Sequence, residues 1–175
     1  MSPTKLKANI RFPSKRAAAW RKQILGRMAQ TRAASLRFLG RLPKGVLLEA
    51  RTQGRWSIKD TFAHFVAWEE EGLRRLKLIE RGRGDRMVFF DDMRQADRFN
   101  ARAVRRARRW SWPALLGRAA RVRSRLVKAV RRLTRADLAD PSHRYPVTAW
   151  LPEFAWTHEQ SHLTRMRDWW RKQKT

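Results

Sequence analysis

Residues 54–70 read GRWSIKDTFAHFVAWEE, and this stretch carries the clearest signals for the fold. Ser57 has the side chain of a helix N-cap, and Asp60 stands at the third helical position, where a carboxylate favours the positive end of a helix. Apolar residues then recur at helical spacing, which predicts a helix from Ile58 to about Arg81. Two glycines beyond Arg81 are expected to end it. The predicted inner face carries Ile58, Phe62, Phe65, Glu69, Gly72, Leu73 and Leu76.

Two further helices are predicted on either side of a polar link. The first covers residues 14–42, where apolar residues follow one helical stripe up to a proline and a glycine. Residues 82–95 form the link, which is long enough to cross the end of a bundle. The third helix starts near Gln95 and extends to about Leu133, with a break around residues 110–113 where a serine and a proline suit a new helix start.

The C-terminal part predicts one more helix. Residues 136–147 contain two prolines and are expected to form a loop, after which Thr148 is a candidate N-cap. The helix would extend to about Lys172, with Pro152 in its first turn, where a missing N–H costs little. Four long helices without a strand pattern favour an all-α four-helix bundle with a long link between the second and third helices.

The composition is that of a folded but strongly basic domain. The 175 residues include 42 Lys and Arg against 15 Asp and Glu, which gives a net charge of +27, together with nine Trp and eight Phe. One domain over residues 14–175, preceded by a flexible basic arm over residues 1–13, fits this length. No cysteine occurs, so His and carboxylates are the strong metal ligands that remain.

Targeting signals are weak in this sequence. No apolar run is long enough to span a membrane or to form a secretory signal, so a cytoplasmic protein is expected. Residues 1–48 contain no Asp or Glu and are rich in Arg, which is also compatible with a mitochondrial transit peptide. The helical pattern from Ser14 onward favours a packed helix over a transit peptide.

Two histidines one helical turn apart give the strongest chemical signal. His158 and His162 occur in HEQSH, an i, i+4 pair whose rings lie on the same face and can bind one ion. At about 100° per residue Leu151 and Ala155 share this face, which predicts that the pair lies inside the apolar stripe. Two buried imidazoles need partners, and a metal ion satisfies both at once. A structural pair of core histidines is the alternative.

The HExxH pattern also occurs in zinc proteases. In those enzymes the Glu is the general base, and a further ligand follows downstream. Here only Asp168 follows His162 as a potential ligand. A protease of that class is therefore not expected.

The stretch over residues 54–70 resembles the second-helix motif of the DinB-like family, in which a capped Trp-Ser start precedes a His and then a Trp-Glu pair. The HxxxH pair of that family's last helix is matched by His158 and His162. The resemblance extends over most of the chain and implies a four-helix bundle with a long link after the second helix. It also implies that His64 is the third ligand, although helical spacing places His64 on the flank of the apolar stripe.

The resemblance implies one divalent metal ion (Zn, Ni, Fe, Co or Mn) bound by His64, His158 and His162, with open positions for water or substrate. It further implies an enzyme that acts on a small molecule. The reaction would be a hydrolysis by activated water, or an S-transfer by an activated thiol such as a low-molecular-weight thiol cosubstrate.

Four further residues are candidate catalytic helpers: Glu69, Glu159, Arg165 and Tyr145. Glu69 can orient His64 or a bound water, but a buried salt bridge to one of the arginines is an equal alternative. Arg165 can bind an anionic substrate. His143 lies in the proline-containing loop and is expected to take no part.

The charge indicates an alternative function. Residues 101–136 contain no acidic residue and many arginines, and such a field attracts polyanions. In that alternative the Arg-rich third helix, with Trp110 and Trp112, binds nucleic acid without sequence specificity, and the metal site is structural or vestigial. No recognition motif for DNA or RNA accompanies the charge. The sequence leaves the oligomeric state open, a homodimer included.

Overall fold

The computed structural model describes residues 13–49, 52–88, 90, 92–139 and 145–173, and no strand occurs among these residues. The α-helices are α1 (Ser14–Leu39), α2 (Lys44–Leu48), α3 (Ile58–Glu80), α4 (Met93–Ala107), α5 (Trp112–Arg132), α6 (Arg135–Ala139), α7 (Val147–Pro152) and α8 (His158–Lys172). A 3-10 turn lies at Gly84–Arg86. A π-helical turn at Glu153–Thr157 joins α7 to α8 as one long segment. The predicted all-α class is confirmed.

Helix α3 has neighbours on most of its sides. It packs against α4, α5 and the π-helical turn, while α1 packs against α8, the π-helical turn and α5. Each fully buried large apolar side chain contributes about 1.5–3 kcal/mol to such packing. Residues from all four long segments form the core, among them Met28, Phe62, Leu115, Leu126, Leu151 and Met166. The four long segments are α1, α3, α5 and α7–α8.

The predicted long link joins α3 to α4. Its first turn contains Gly82 at φ 62°, a conformation that glycine adopts without strain. Met87 is buried in the core, and the ring of Phe90 lies 5.5 Å from that of Trp68 on α3. The link therefore folds back over the Trp68 side of α3.

The predicted break in the third helix separates α4 from α5. The Ser111 hydroxyl accepts a hydrogen bond from the Ala114 N–H at 3.3 Å, and Pro113 stands in the first turn of α5. Pro113 fits there because the first N–H groups of a helix have no helical partner. Both α4 and α5 pack against α3.

The end of the first helix differs from the prediction. Helix α1 ends at Leu39 instead of Leu42, and the short α2 follows after a turn. Pro43 occupies the N-cap position of α2, so it begins this short helix besides ending the longer one before it. The fixed φ of proline suits the start of a helix as well as a stop.

The start of the last helix also differs. Thr148 does not cap it, because α7 begins at Val147 with Pro146 at the N-cap position. Pro152 lies beyond the first turn, at the end of α7. It has no N–H to donate to the carbonyl four residues earlier, and the chain continues in the π-helical turn.

Two predictions fall largely on residues that the structure does not describe. The flexible arm over residues 1–13 lies outside the described residues except for Pro13, which occupies the N-cap position of α1. His143 lies outside them as well. None of the described helices combines the length and the apolar character needed to cross a membrane.

Candidate metal centre

The residues before α3 fix its first turn. Gly54 has φ 63°, in the left-handed region that favours glycine, and an isolated β-bridge closes the turn around it. The Asp60 N–H donates to Ser57 Oγ at 3.0 Å, and the Ser57 N–H donates to Asp60 Oδ2 at 3.4 Å. This capping box confirms the predicted helix start. The ring of Trp56 then lies 5.0 Å from that of His64.

Three histidines from two helices bring their ring nitrogens together. Nε2 of His158 lies 2.9 Å from Nε2 of His64 and 3.0 Å from Nε2 of His162. One nitrogen from each ring lies within 4.8 Å of the other two. Ligand nitrogens on a tetrahedral zinc ion, at about 2.05 Å from it, lie about 3.3 Å apart. Small ring movements would therefore allow one ion to be bound by all three.

His64 is buried, with 2% of its surface exposed, although helical spacing placed it on the flank of the apolar stripe. The first half of α3 is buried on nearly every face, because α2, α4, α5 and α8 pack around α3. The position of a residue relative to the apolar stripe does not predict its burial in a helix that has neighbours on most sides.

The histidine pair was predicted to lie inside the buried face of its helix. In the structure it lies at the edge of the buried face of α8. Glu159, Leu163 and Met166 form that face, whereas His158 and His162 are half-buried. A π-helical turn has more residues per turn than an α-helix, so the spacing of 100° per residue does not continue through residues 153–157.

His64 also has polar neighbours on its other side. Trp68 Nε1 lies 3.1 Å from His64 Nδ1 and 2.9 Å from Asn100 Oδ1, and the Asn100 side chain acts to raise the pKa of His64 against the effect of burial. Sequence reasoning missed Asn100. The available signal was its position on the buried face of α4, in line with Ala96 and Ala103.

Burial lowers the pKa of all three imidazoles. The pKa of His162 falls to about 4, through burial first and then through the positive charges of His158 and Arg165. The pKa values of His64 and His158 also fall, again mainly through burial, and Glu153 partly opposes the shift at His158. The rings are therefore neutral at neutral pH, which is the form that binds a metal ion.

Glu69 and Glu159, two predicted helpers, bind arginines in the core. Arg32 donates to Glu69 at 2.6 Å and to Glu159 at 2.8 Å, and Arg123 pairs with both carboxylates, with Glu159 at 2.6 Å. The four residues come from α1, α3, α5 and α8, one from each long segment. This is the buried salt bridge that was the alternative to an orienting role for Glu69. We call these four residues the core ion network.

A cleft of about 440 Å³ opens beside His162. It is lined by Thr52, Gln53, Gly54, His162, Arg165, Asp168, Trp169 and Lys172. Arg165 is exposed and donates to Ser161 Oγ at 3.0 Å. Its charge contributes to the lowered pKa of His158 and of His162. Of the predicted helpers, Arg165 is the one that shares a cavity with a histidine.

Tyr145 lines a different cavity. That cavity measures about 350 Å³ and is also lined by Phe90, Trp150, Phe154 and Glu153, beside Arg75. Glu153, which lines this cavity, interacts electrostatically with His158 and acts to raise its pKa. The structure does not bring Tyr145 to the ring nitrogens.

Comparison with known proteins gives one family. A family model described as the DinB superfamily matches residues 27–166, a range that includes all three histidines. No curated protein and no solved structure matches the chain significantly. The match confirms the family that the motif around His64 indicated.

Proposed function

Because the chain belongs to the DinB superfamily, we propose that it is a divalent-metal-dependent enzyme that acts on a small anionic molecule. The observation that carries this proposal is the convergence of one ring nitrogen each from His64, His158 and His162 within 4.8 Å. Three neutral imidazoles suit Zn, Ni, Fe, Co or Mn. Three protein ligands leave a coordination position open, which is typical of catalytic sites.

A divalent ion held there supplies a Lewis acid that lowers the pKa of a coordinated water or thiol. Hydrolysis and thiol transfer are accordingly the two reactions that we propose. Access is from the side of His162, which lines the cleft, since His64 is covered by the rings of Trp56 and Trp68. His64 is 2% exposed, which leaves water little access to the inner side of the site.

Arg165 binds the anionic group of the substrate in this proposal. It lies in the cleft within one turn of His162, and Lys172 adds a second positive charge there. Trp169 offers an aromatic wall for an apolar part of the substrate. Glu69 and Glu159 position α3 and α8 through the core ion network, because their carboxylates bind Arg32 and Arg123.

The metal site is tested by elemental analysis of protein purified without a metal-affinity tag. Wild type should contain about one divalent ion per chain, and His162→Ala should lose it while staying helical by circular dichroism. His143→Ala is the matched control and should keep the ion. The bundle has its own apolar core, so a chelator should leave it folded. Metal-free wild type, or a control that loses the ion, would contradict the proposal.

Arg165 is tested against a panel of anionic esters and thiol-acceptor substrates. Arg165→Gln should raise KM about 10-fold or more and change kcat less, because the charge acts mainly in binding. The control is Arg167→Gln, whose side chain lies over Phe38 on another side of α8. Equal effects of the two variants on KM would show that Arg165 has no special role.

A further inference from the structure

The Nδ1 atom of His64 faces a hydrogen-bond donor. Trp68 Nε1 carries a hydrogen and can only donate, and it lies 3.1 Å from His64 Nδ1. In this arrangement Nδ1 accepts, and the single proton of the neutral ring is on Nε2. The Trp68 N–H also lies 2.9 Å from Asn100 Oδ1, so two acceptors share it.

Metal binding through Nε2 requires the other tautomer of His64. Nε2 must then be free of its proton, and Nδ1 carries the proton instead. The Nδ1–H group would meet the Trp68 N–H, and two donors about 3 Å apart repel each other. Both donors therefore need an acceptor that each can reach. Asn100 Oδ1 has two lone pairs and lies 2.9 Å from Trp68 Nε1, on the side of His64 that Trp68 Nε1 also faces at 3.1 Å. The Asn100 side chain acts to raise the pKa of His64, as a nearby acceptor does.

We propose that Asn100 is a positioning residue that holds His64 in its metal-binding tautomer, with Oδ1 accepting from His64 Nδ1 and from Trp68 Nε1 at the same time. This inference rests on the proposed metal site. Asn100 is half-buried, lies in line with Ala96 and Ala103 on α4, and already accepts from Trp68 Nε1 through Oδ1. Helix α4 thus contributes to the site without supplying a ligand.

The test measures the affinity of the folded protein for Zn²⁺ alone, by competition with a chromophoric chelator. Asn100→Leu has a similar size and no acceptor, and it should weaken Zn²⁺ binding by about 10- to 100-fold, as is typical when an outer partner of a ligand is removed. Asn100→Asp keeps an acceptor oxygen and should bind at least as tightly as wild type. Asp97→Leu, on the exposed side of α4, is the control and should leave the affinity unchanged.

A second variant reports on the competing donor. Trp68→Phe removes the indole N–H, so Asn100→Leu/Trp68→Phe should recover part of the affinity that Asn100→Leu loses. The tautomer itself is visible in the ¹⁵N chemical shifts of His64, which should change from Nε2–H to Nδ1–H when Zn²⁺ is added. If Asn100→Leu does not fold, Asn100→Ala removes the acceptor with less steric demand.

The outcomes separate this inference from the metal site itself. If wild type binds Zn²⁺ tightly and the Asn100 variants change only the melting temperature, Asn100 has a merely structural role and the inference is wrong. If wild type binds no Zn²⁺, or His162→Ala binds it as tightly as wild type, the metal site itself is wrong.

Discussion

Arg32 and Arg123 place two positive charges in the core of the bundle. Their side chains are 9% and 10% exposed, and those of Glu69 and Glu159 are 2% and 3% exposed. The four charges cancel. Replacing such a group by apolar residues is often neutral or stabilising, whereas removing one member leaves a buried charge without a partner.

Arg32→Met should therefore lower the free energy of unfolding by about 3–5 kcal/mol, because it leaves the carboxylates with too few partners. The double variant Arg32→Met/Glu159→Gln removes one charge of each sign and should recover part of that loss. The control is Arg37→Met, at an exposed position on the same helix. This substitution should change the free energy of unfolding by about 0.5 kcal/mol or less. Denaturant unfolding measures all three. A loss at Arg32 no larger than at Arg37 would contradict a stabilising network.

Individual residues were predictable only where the sequence nearby carried the signal. The i, i+4 spacing alone pointed to His158 and His162 as joint ligands, whereas His64 needed the family resemblance. Nothing near Arg32 or Asn100 in the sequence indicates which helix faces them, so neither was predicted. Their roles depend on partners far along the chain, with 127 residues separating Arg32 from Glu159.

Gly72 of α3 packs closely against the π-helical turn that precedes α8. A Cβ atom there would lie 3.0 Å from Cβ and 3.5 Å from Cγ of Phe154, which belongs to the π-helical turn. The first of these distances involves an atom fixed to the backbone, so the turn itself would have to move. His158 follows this turn directly, so the packing at Gly72 also bears on the position of a ligand.

Gly72→Ala should lower the free energy of unfolding by about 1–2 kcal/mol, because an overpacking cost of about 1–3 kcal/mol exceeds the helix-propensity gain of about 0.5–1 kcal/mol. It should also weaken Zn²⁺ binding, because the displaced turn carries His158 away from His64. The control is Gly26→Ala on α1, where an added Cβ has nothing within 4 Å. It should stabilise the protein by about 0.5–1 kcal/mol through helix propensity. Stabilisation by both variants in a denaturant titration would exclude the tight contact.

Elements were predictable where caps and breaks are local. The Ser57 cap and the break before Pro113 needed only neighbouring residues. The last helix was different, because its π-helical turn combines Pro152 with contacts to α1 and α3 that the sequence does not reveal. The same turn explains why the histidine pair was predicted on the wrong part of the buried face.

The excess of positive charge is a property of the whole molecule. Several of the few acidic side chains are already paired, among them Glu70 with Arg118 and Glu80 with Arg132 at 3.0 Å. Two arginines of the Arg-rich helix that the alternative function assigns to nucleic acid thus have carboxylate partners. Arg121, Arg125 and Lys128 are exposed on α5 at spacings of four and three residues. Binding of nucleic acid through this face stays a prediction.

Such binding should be electrostatic. Affinity for a duplex of arbitrary sequence should fall by orders of magnitude between about 50 and 200 mM salt, because bound phosphates release counterions. Arg121→Glu/Arg125→Glu should weaken binding more than the charge-matched control Arg37→Glu/Arg41→Glu, at the end of α1 and in the turn that follows it. Fluorescence anisotropy measures both. Equal losses would show that the charge acts without a defined face, and binding that persists at 200 mM salt would require a recognition surface.

The general arrangement of the chain was predictable because helix periodicity, glycine and proline positions and one long polar link all favour the same all-α bundle. The sequence did not indicate which face of each helix packs against which neighbouring helix. Phe90 shows this well, because nothing in the sequence around it indicates that its ring lies against Trp68, beside the three histidines.

The π-helical turn has a consequence for how the gene for this protein can vary. A turn of this kind amounts to one codon more than an uninterrupted α-helix would need. Deleting one codon for Glu153–Thr157 should therefore close the segment into a continuous α-helix in which the residues on either side keep nearly their present orientation. Deleting one codon between His158 and His162 has no wide turn to absorb it, and every later residue would rotate by about 100° about the helix axis. Selection should therefore tolerate the loss of one codon in the π-helical turn better than the loss of one codon in α8.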